Sequence, residues 1–212
     1  MRLILARHGN TFDAGETPVW VGAREDLPLT ARGKDQSRAV GAALRSSAIL
    51  PARIIAGPLK RTREGAALAA KACGFSGEVE IDTRLREIDY GTWGGRSDAD
   101  IAAEWGADAI DAWRERSIVP DGAGWSPDPE TLQSHARHVL DAIGHDPRGD
   151  VLVISSNGVL RYFHRMIAGA LAPPEDAKVK TGHMGVARLT AGVWQLEFWN
   201  LAPQDAREAL LS

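Results

Sequence analysis

The sequence predicts an α/β fold, a three-layer sandwich with a mainly parallel central sheet and a small helical cap insertion. Two continuous apolar runs, Leu3–Ala6 and Val151–Ile154, are typical of strands that are covered on both faces. Segments with helical character alternate with the strand candidates, which favours parallel strands joined by helices. A chain of 212 residues can form one core plus an insertion, so we expect a single domain over residues 1–212.

The remaining elements follow the first strand in alternating order. Arg53–Ala56 is a weaker strand candidate, and Val186–Leu189 with Val193–Phe198 has the pattern of a hairpin. Thr30 stands where it can cap the first helix. The predicted helices are Ala31–Ser46, Arg61–Ala72, Thr131–Ile143 and Val159–Ala168.

The segment of about 91–129 differs in composition from the rest of the chain. It contains four of the seven tryptophans and has Gly and Pro clusters at its ends. We interpret it as the helical cap over the carboxyl edge of the sheet. Trp105 and Trp113 are expected in the core of this cap, whereas Trp93 is a candidate for the substrate rim.

Composition and charge narrow the class of protein. The net charge of −3 lacks the basic excess typical of nucleic-acid or anionic-membrane binding, so we expect neither partner. No apolar run is long enough to span a membrane, and the first residues show no signal-peptide pattern. The single cysteine, Cys73, excludes an internal disulfide. We therefore expect a cytoplasmic protein without cofactor or metal, and a homodimer stays open.

The first strand runs directly into Arg7-His8-Gly9. Ligands of open α/β sheets bind at the carboxyl ends of the strands, so we expect His8 at a binding site. An imidazole with a free pKa of about 6.5 is available as a neutral base near neutral pH. The charge of Arg7 beside it favours the neutral form. This pair suits a nucleophile that attacks a phosphoryl group.

Four further segments follow Arg7-His8-Gly9 in a particular order. Together they resemble the histidine phosphatase superfamily, in its phosphoglycerate-mutase-like branch, from Arg2 to about Leu196, most weakly in the cap. The segments are Asp26–Thr30 with Gly33 and Gln36, Gly57–Thr62, Leu85–Gly91 with Trp93-Gly94, and Val151–Arg161.

The resemblance implies a phosphomonoester hydrolase that acts on a small phosphorylated metabolite through a phosphohistidine at His8. Arg7 and Arg61 match the arginines of the family that hold the phosphate. Thr11 matches a hydroxyl that binds phosphate or substrate. Glu87, in a Leu-x-Glu-x-x-x-Gly pattern, matches the general acid that protonates the leaving group.

The segment after the last parallel strand departs from the family pattern. Members of the family carry Ser-His-Gly-Gly there, whereas this chain has Ser155-Ser156-Asn157-Gly158, so Ser156 replaces a second histidine. Loss of one such donor costs on the order of 100- to 1,000-fold in rate. Ser156 and Asn157 offer replacement donors to the phosphate, so the pocket is weakened rather than emptied, and activity can be reduced.

Two alternative functions stay open on the sequence. A phosphate-binding pseudoenzyme with little or no turnover is suggested by Ser156, Ala14 and Gly95, which all depart from the family pattern. A phosphoglycerate mutase is less favoured, because Ala14 and Gly95 lie near positions with which mutases hold phosphoglycerate.

Further residues are expected around the site. Asp89 is the alternative general acid, two residues after Glu87. Asn10, Trp93 and His183 are placed at the substrate rim, the last of them in a loop that resembles one bordering the site of the family.

Overall fold

The computed structural model describes residues 1–146, 148–169 and 177–211. Six strands of this part form one sheet, in which parallel pairs join the first four strands and two antiparallel strands extend one side. The strands are β1 (Arg2–Arg7), β2 (Arg53–Ala56), β3 (Glu80–Ile81), β4 (Val151–Ser155), β5 (Met184–Thr190) and β6 (Val193–Leu201). The spatial order is β3-β2-β4-β1-β5-β6. The predicted mainly parallel sheet is therefore confirmed.

The helices largely follow the prediction, and the first has its predicted bounds and its predicted cap, since the Thr30 side chain accepts from the Gly33 amide. The two-residue strand β3 and the short C-terminal helix were not predicted, because so few residues show no periodicity. The helices of the described residues are α1 (Ala31–Ser46), α2 (Lys60–Cys73), α3 (Asp98–Trp105), α4 (Ala107–Arg116), α5 (Pro129–Gly144), α6 (Asn157–Ala168) and α7 (Ala206–Leu211).

Successive residues of β1 pack into the two outer layers of the fold. Leu3 and Leu5 belong to a core shared with α5 and α6, whereas Ile4 and Ala6 belong to a second core shared with α1, α2 and α7. This alternation follows from the pleat of a strand. Burying one such leucine or isoleucine stabilises the fold by about 1.5–3 kcal/mol. A strand covered on both faces must be apolar throughout, which explains the unbroken run in the sequence.

The segment 91–129 contains α3 and α4 and a network of aromatic rings. Trp93 is fully buried, and its ring lies edge-on to Trp20 and Trp125, with centroids 4.9 and 5.3 Å away. Trp113 is also buried, as predicted, and its ring lies 4.8 Å from that of Trp125. Edge-to-face pairs of this kind add about 0.5–1.5 kcal/mol each to the burial of the rings. They hold the segment firmly against Trp20.

Among the described residues, no helix is long and apolar enough to cross a membrane. In the same part of the chain, no group of His, Cys, Asp and Glu is arranged to hold a metal ion. Cys73 is buried at the end of α2, where its thiol donates to the Ala70 carbonyl.

The carboxyl ends of β1 and β4 meet at one edge of the sheet. The two strands are parallel neighbours, with Arg7 opposite Ser155, so the residues that follow them emerge side by side. The start of α1 approaches the same edge closely, since a Cβ on Gly9 would lie only 2.1 Å from the Gly33 carbonyl oxygen. Glycine at both positions therefore permits this contact.

Candidate active site

A pocket of about 920 Å³ opens at this edge of the sheet. Its wall includes Arg7, His8, Arg61, Glu87 and Asn157, so the structure brings together five of the residues predicted from the sequence. The volume is that of a site for a whole small molecule, larger than a phosphate group requires. Residues of the segment 91–129 also contribute to the wall.

The ring of His8 is buried and fixed by its surroundings. Its Nδ1 lies 2.7 Å from the Gly9 carbonyl oxygen. Because a carbonyl only accepts hydrogen bonds, Nδ1 carries the proton in the neutral ring and Nε2 carries the lone pair. The backbone of His8 donates to Ser155 at 3.0 Å and accepts from Gly182 at 3.2 Å. His8 thus presents a nucleophilic nitrogen from a rigid backbone.

The environment of His8 keeps its ring neutral. Burial is the largest cause that lowers the pKa of His8 well below its ordinary value, and the charges of Arg61 and Arg7 lower it further. The direction predicted for Arg7 is confirmed, although burial and Arg61 contribute more. A neutral imidazole is the form that can attack phosphorus.

Backbone carbonyls hold the guanidiniums of Arg7 and Arg61. Arg7 donates to the Val179 carbonyl at 2.8 Å, and Arg61 donates to the carbonyls of Glu25 at 2.8 Å and Gly22 at 3.0 Å. Burial lowers the pKa of both groups, yet guanidiniums keep their charge in proteins. Neither arginine forms an ion pair with a described residue. Their charges are therefore available to an anionic ligand.

A third guanidinium of the pocket, Arg161 on α6, was not predicted as a site residue. It donates to the carbonyls of Trp113 at 3.1 Å and Arg114 at 2.7 Å, and it stacks on the Trp113 ring. These contacts connect α6 to the last turn of α4. Like Arg7 and Arg61, it forms no ion pair with a described residue. A buried arginine cannot be told apart in the sequence from Arg165, which lies on the same helix.

Glu87 is buried, and backbone amides hold its carboxyl group. Its Oε1 accepts from Ile88 N at 2.9 Å, and its Oε2 accepts from Gly158 N at 3.3 Å. The preceding turn is tied to β4, since the Ser155 hydroxyl donates to the Leu85 carbonyl at 3.0 Å. These bonds place an acid–base group in the same pocket as His8.

Asp89, the alternative acid, is engaged elsewhere. Its carboxylate forms an ion pair with Arg24 at 2.7 Å and accepts from Gly91 N at 3.0 Å, and it does not line the pocket. The structure therefore favours Glu87 over Asp89.

The start of α6 fits closely around Glu87. A Cβ on Gly158 would lie 2.3 Å from Glu87 Oε1 and 3.0 Å from the hydroxyl of Tyr90, so only glycine leaves room for the carboxyl group. Tyr90 also lines the pocket, and burial raises its pKa well above the ordinary value. Its phenol therefore stays protonated beside Glu87.

The two predicted replacement donors occupy different places. Asn157 lines the pocket, and its Oδ1 accepts from Val179 N at 2.8 Å, which leaves the two Nδ2 hydrogens for a ligand. Ser156 is fully buried at the N-cap of α6, outside the pocket wall, and its hydroxyl has no hydrogen-bond partner among the described residues. This placement does not favour the predicted contact of Ser156 with phosphate.

The rim predictions divide in the same way. Asn10 and Thr11 line the pocket, whereas Trp93 and His183 do not. Trp93 is enclosed in the aromatic core, and the His183 ring bonds to the Asn200 carbonyl at 2.9 Å. The structure therefore does not bring Trp93 and His183 to the pocket wall.

Trp20 is one of the aromatic residues of the pocket wall, with Phe12, Tyr90 and Trp113. Its indole N–H donates to Asp98 at 2.9 Å, and its backbone pairs with Arg96 and Gly95. It was missed because the irregular segment between β1 and α1 has no periodicity that indicates which side chains face a site.

The fold and the site define an α/β protein with an arginine-lined pocket and a buried histidine at the end of its first strand. The model of the Histidine phosphatase superfamily (branch 1) matches residues 3–202. The chain belongs to this family, as the sequence motifs predicted.

A curated protein is similar to this chain in sequence, and solved structures are similar to it in fold. The chain is 31% identical over 162 residues to "Probable phosphoglycerate mutase GpmB" of Salmonella arizonae. The aligned region covers 75% of this chain and 70% of that protein. It shares its fold with a mycobacterial glucosyl-3-phosphoglycerate phosphatase, with a TM-score of 0.77, 20% identity and coverage of 94% and 98% of the two chains. It also shares its fold with the alpha-ribazole phosphatase of Shigella flexneri, with a TM-score of 0.71, 22% identity and coverage of 95% and 97% of the two chains.

Proposed function

We propose that this chain is a phosphomonoester hydrolase that acts through a phosphohistidine intermediate at His8. The carrying observation is the uncompensated charge of the pocket. Arg7, Arg61 and Arg161 are held by neutral backbone oxygens, while Glu87 is the one buried acid among the described residues of the wall. A phosphomonoester dianion supplies the missing negative charge, and guanidiniums bind its oxygens in two-point contacts.

In the first step, the Nε2 lone pair of His8 forms a bond to phosphorus while the bond from phosphorus to the ester oxygen breaks. The leaving oxygen takes the proton of Glu87. Arg7 and Arg61 stabilise the charge on the phosphoryl oxygens, and the amide of Asn157 donates to the same group. Phosphoryl transfer depends mainly on such positioning and charge stabilisation.

In the second step, water replaces the leaving group in the pocket. The Glu87 carboxylate accepts a proton from this water, whose oxygen forms a bond to phosphorus as the phosphorus–nitrogen bond breaks. Phosphate leaves, and His8 and Glu87 return to their starting forms. One residue acts first as acid and then as base, as microscopic reversibility allows.

The alternatives receive less support than hydrolysis. Solved structures with a similar fold include phosphatases, and the comparisons give no support to a binding-only pseudoenzyme. A buried acid beside the nucleophile, as Glu87 is, has no purpose in a protein that only binds phosphate. Phosphoglycerate mutase activity is one outcome of the test, since curated relatives carry that name.

The test is the hydrolysis of para-nitrophenyl phosphate and of a panel of phosphorylated metabolites. We expect turnover by the wild type, a covalent phosphoenzyme with the acid lability of phosphohistidine, and a loss of about 10,000-fold or more in His8→Ala. His138→Ala, an exposed histidine of α5, is the matched control and keeps the wild-type rate. Equal turnover by His8→Ala overturns the proposal. Phosphate binding without turnover indicates the pseudoenzyme, and interconversion of phosphoglycerate isomers indicates the mutase.

A further inference from the structure

Gln36 lies on α1, in a sequence motif to which the proposed reaction assigns no part. Its side chain is half-buried and does not line the pocket. Both ends of its amide group form hydrogen bonds, since Oε1 accepts from the Asn10 N–H at 2.8 Å and Nε2 donates to the Thr181 carbonyl at 3.2 Å. One side chain therefore connects the chain after β1 to the chain before β5.

The first of these bonds acts on the peptide group between Gly9 and Asn10. The N–H of this group donates to Gln36, and its carbonyl oxygen lies 2.7 Å from Nδ1 of His8. A trans peptide group is planar, with its N–H and its carbonyl pointing in opposite directions. A partner that fixes the N–H therefore also fixes the direction of the carbonyl. Gln36 thus orients the oxygen that accepts the Nδ1 proton of His8.

The second bond acts on the peptide group between Thr181 and Gly182. The carbonyl of this group accepts from Gln36, and its N–H donates to the carbonyls of Arg7 and His8, each at 3.2 Å. The contact is close, because a Cβ on Gly182 would lie 2.7 Å from the Cβ of Gln36. Gln36 therefore acts on the ring of His8 through one peptide group and on its backbone through another.

Other contacts hold the neighbouring groups of Asn10. Its carbonyl accepts from the Thr30 N–H at 3.0 Å, and its side-chain Oδ1 accepts from the Thr181 hydroxyl. A Cβ on Gly33 would lie 2.1 Å from the Asn10 carbonyl oxygen, so α1 packs directly against this loop. These contacts keep the loop in place when Gln36 is replaced. The N–H that shares a plane with the Gly9 carbonyl is bound by Gln36.

We propose that Gln36 is a positioning residue for the nucleophile, which keeps the proton of the neutral His8 ring on Nδ1 and the lone pair on Nε2. This inference rests on the proposed function of His8. Without the bond from Gln36, the Gly9–Asn10 peptide group can rotate, and its carbonyl no longer holds the Nδ1 proton. The ring then also populates the other tautomer, in which Nε2 carries the proton and cannot attack phosphorus.

Phosphate binding does not depend on this bond. The guanidiniums of Arg7 and Arg61 are held by the carbonyls of Val179 and Glu25, which Gln36 does not contact. Loss of Gln36 should therefore slow the attack by His8 and leave the affinity for phosphate nearly unchanged.

The experiment compares three variants with the wild type. Gln36→Met fills a similar volume and loses both hydrogen bonds, whereas Gln36→Glu keeps an acceptor for the Asn10 N–H and loses the donor to Thr181. Gln133→Met is the matched control, since Gln133 is a half-buried glutamine of α5 that does not line the pocket. Thermal unfolding shows whether each variant is folded.

Three quantities are measured for each protein. The tautomer of His8 is determined near neutral pH from the NMR shifts of its two ring nitrogens, which are assigned with His8→Ala. The rate of phosphoenzyme formation from para-nitrophenyl phosphate reports the attack. The inhibition constant of inorganic phosphate reports binding.

We expect Nδ1 to carry the proton in the wild type, in Gln133→Met and in Gln36→Glu. Gln36→Met should show both tautomers. Its rate of phosphoenzyme formation should fall by about tenfold or more, while the inhibition constant of phosphate stays within about threefold of the wild type. The rate of Gln36→Glu should lie between those of Gln36→Met and the wild type.

A ring of Gln36→Met that keeps its proton on Nδ1 overturns the inference, even where the rate falls. A mixture of tautomers with an unchanged rate overturns it as well. If Gln36→Met does not fold, Gln36→Glu decides, and loss of the Nδ1 proton there contradicts the inference. Absence of turnover in the wild type overturns the proposed function, whereas the tautomer of His8 in Gln36→Met still tests the action of Gln36.

Discussion

The ends of β1 and β4 lie side by side, yet they contribute different chemistry to one pocket. β1 is followed by the histidine whose ring is neutral and whose Nε2 is free, beside the charge of Arg7. β4 is followed by two uncharged residues, Ser156 and Asn157, of which only Asn157 reaches the pocket. The end of β1 thus supplies the proposed nucleophile and a charged arginine, whereas the end of β4 supplies an amide.

This difference shows which residues provide the positive charge for binding phosphate. An amide donates hydrogen bonds but carries no charge. The charge must then come from the guanidiniums of Arg7, Arg61 and Arg161, which lack carboxylate partners among the described residues. We therefore expect substitution of these arginines to lower kcat/KM more than substitution of Asn157.

Removing Arg61 tests the charged side most directly. We expect Arg61→Met to lower kcat/KM by about 1,000-fold or more, the scale on which an arginine stabilises phosphoryl transfer. Arg63→Met, an exposed arginine on the same helix, is the control and keeps the wild-type value. The measurement is steady-state hydrolysis of para-nitrophenyl phosphate. A loss below about tenfold would contradict the assignment of phosphate binding to Arg61.

Glu87→Gln separates proton transfer from phosphate binding. An alkyl leaving group needs the proton, whereas nitrophenolate leaves readily without it. We expect the rate of phosphoenzyme formation to fall on the order of 100-fold or more with butyl phosphate. With para-nitrophenyl phosphate, the same rate should fall clearly less. Single-turnover measurements of phosphoenzyme formation give both values. Equal losses on the two esters would show that Glu87 acts by holding α6, through its bond to Gly158 N, and not by proton transfer.

Asn157→Ala measures the uncharged side. Loss of the Nδ2 donors is expected to lower kcat/KM on the order of 100-fold, as for other single donors to a transition state. Asn157→Asp is the sharper variant, since it keeps the acceptor for Val179 N but places a negative charge near the phosphate. We expect it to be at least as impaired as Asn157→Ala. Activity of Asn157→Asp at the wild-type level would remove the amide from the mechanism.

Titration of His8 tests the environment of the nucleophile without turnover. Burial, Arg61 and Arg7 lower its pKa, so the folded protein keeps a neutral ring on the acid side of pH 6.5. The unfolded chain takes up that proton near its ordinary pKa of about 6.5, so the contribution of His8 makes folding less favourable as the pH falls below this value. NMR of the ring should show the low pKa, and Arg61→Met should raise it. A wild-type pKa at or above the ordinary value would contradict this account.

Much of the fold could be predicted because its determinants are local. The apolar run Leu3–Ala6 and the cap Thr30 each act within a few residues, and both elements appear where they were predicted. Short motifs at the ends of strands and the starts of helices also carry Arg7, His8, Arg61 and Glu87, which the structure brings to the wall of one pocket.

The parts of the site that were missed depend on long-range packing. Lys178 and Arg161 meet at the pocket only because α6 and the chain before β5 pack against α4 and β1. The sequence likewise shows that Trp93 and Trp20 are large and apolar, but not which of them faces the rim. The structure places Trp93 in the core and Trp20 at the rim.

The smallest expected effect belongs to Ser156, the first residue after β4. Its hydroxyl is buried, has no hydrogen-bond partner among the residues that the structure describes, and does not line the pocket, so Ser156→Ala removes an unsatisfied polar group. Such a change is close to neutral or stabilising. We expect kcat/KM within about twofold of the wild type and an equal or higher Tm. A loss as large as that of Asn157→Ala would instead make Ser156 the phosphate donor and would place both uncharged residues of the β4 end in the reaction.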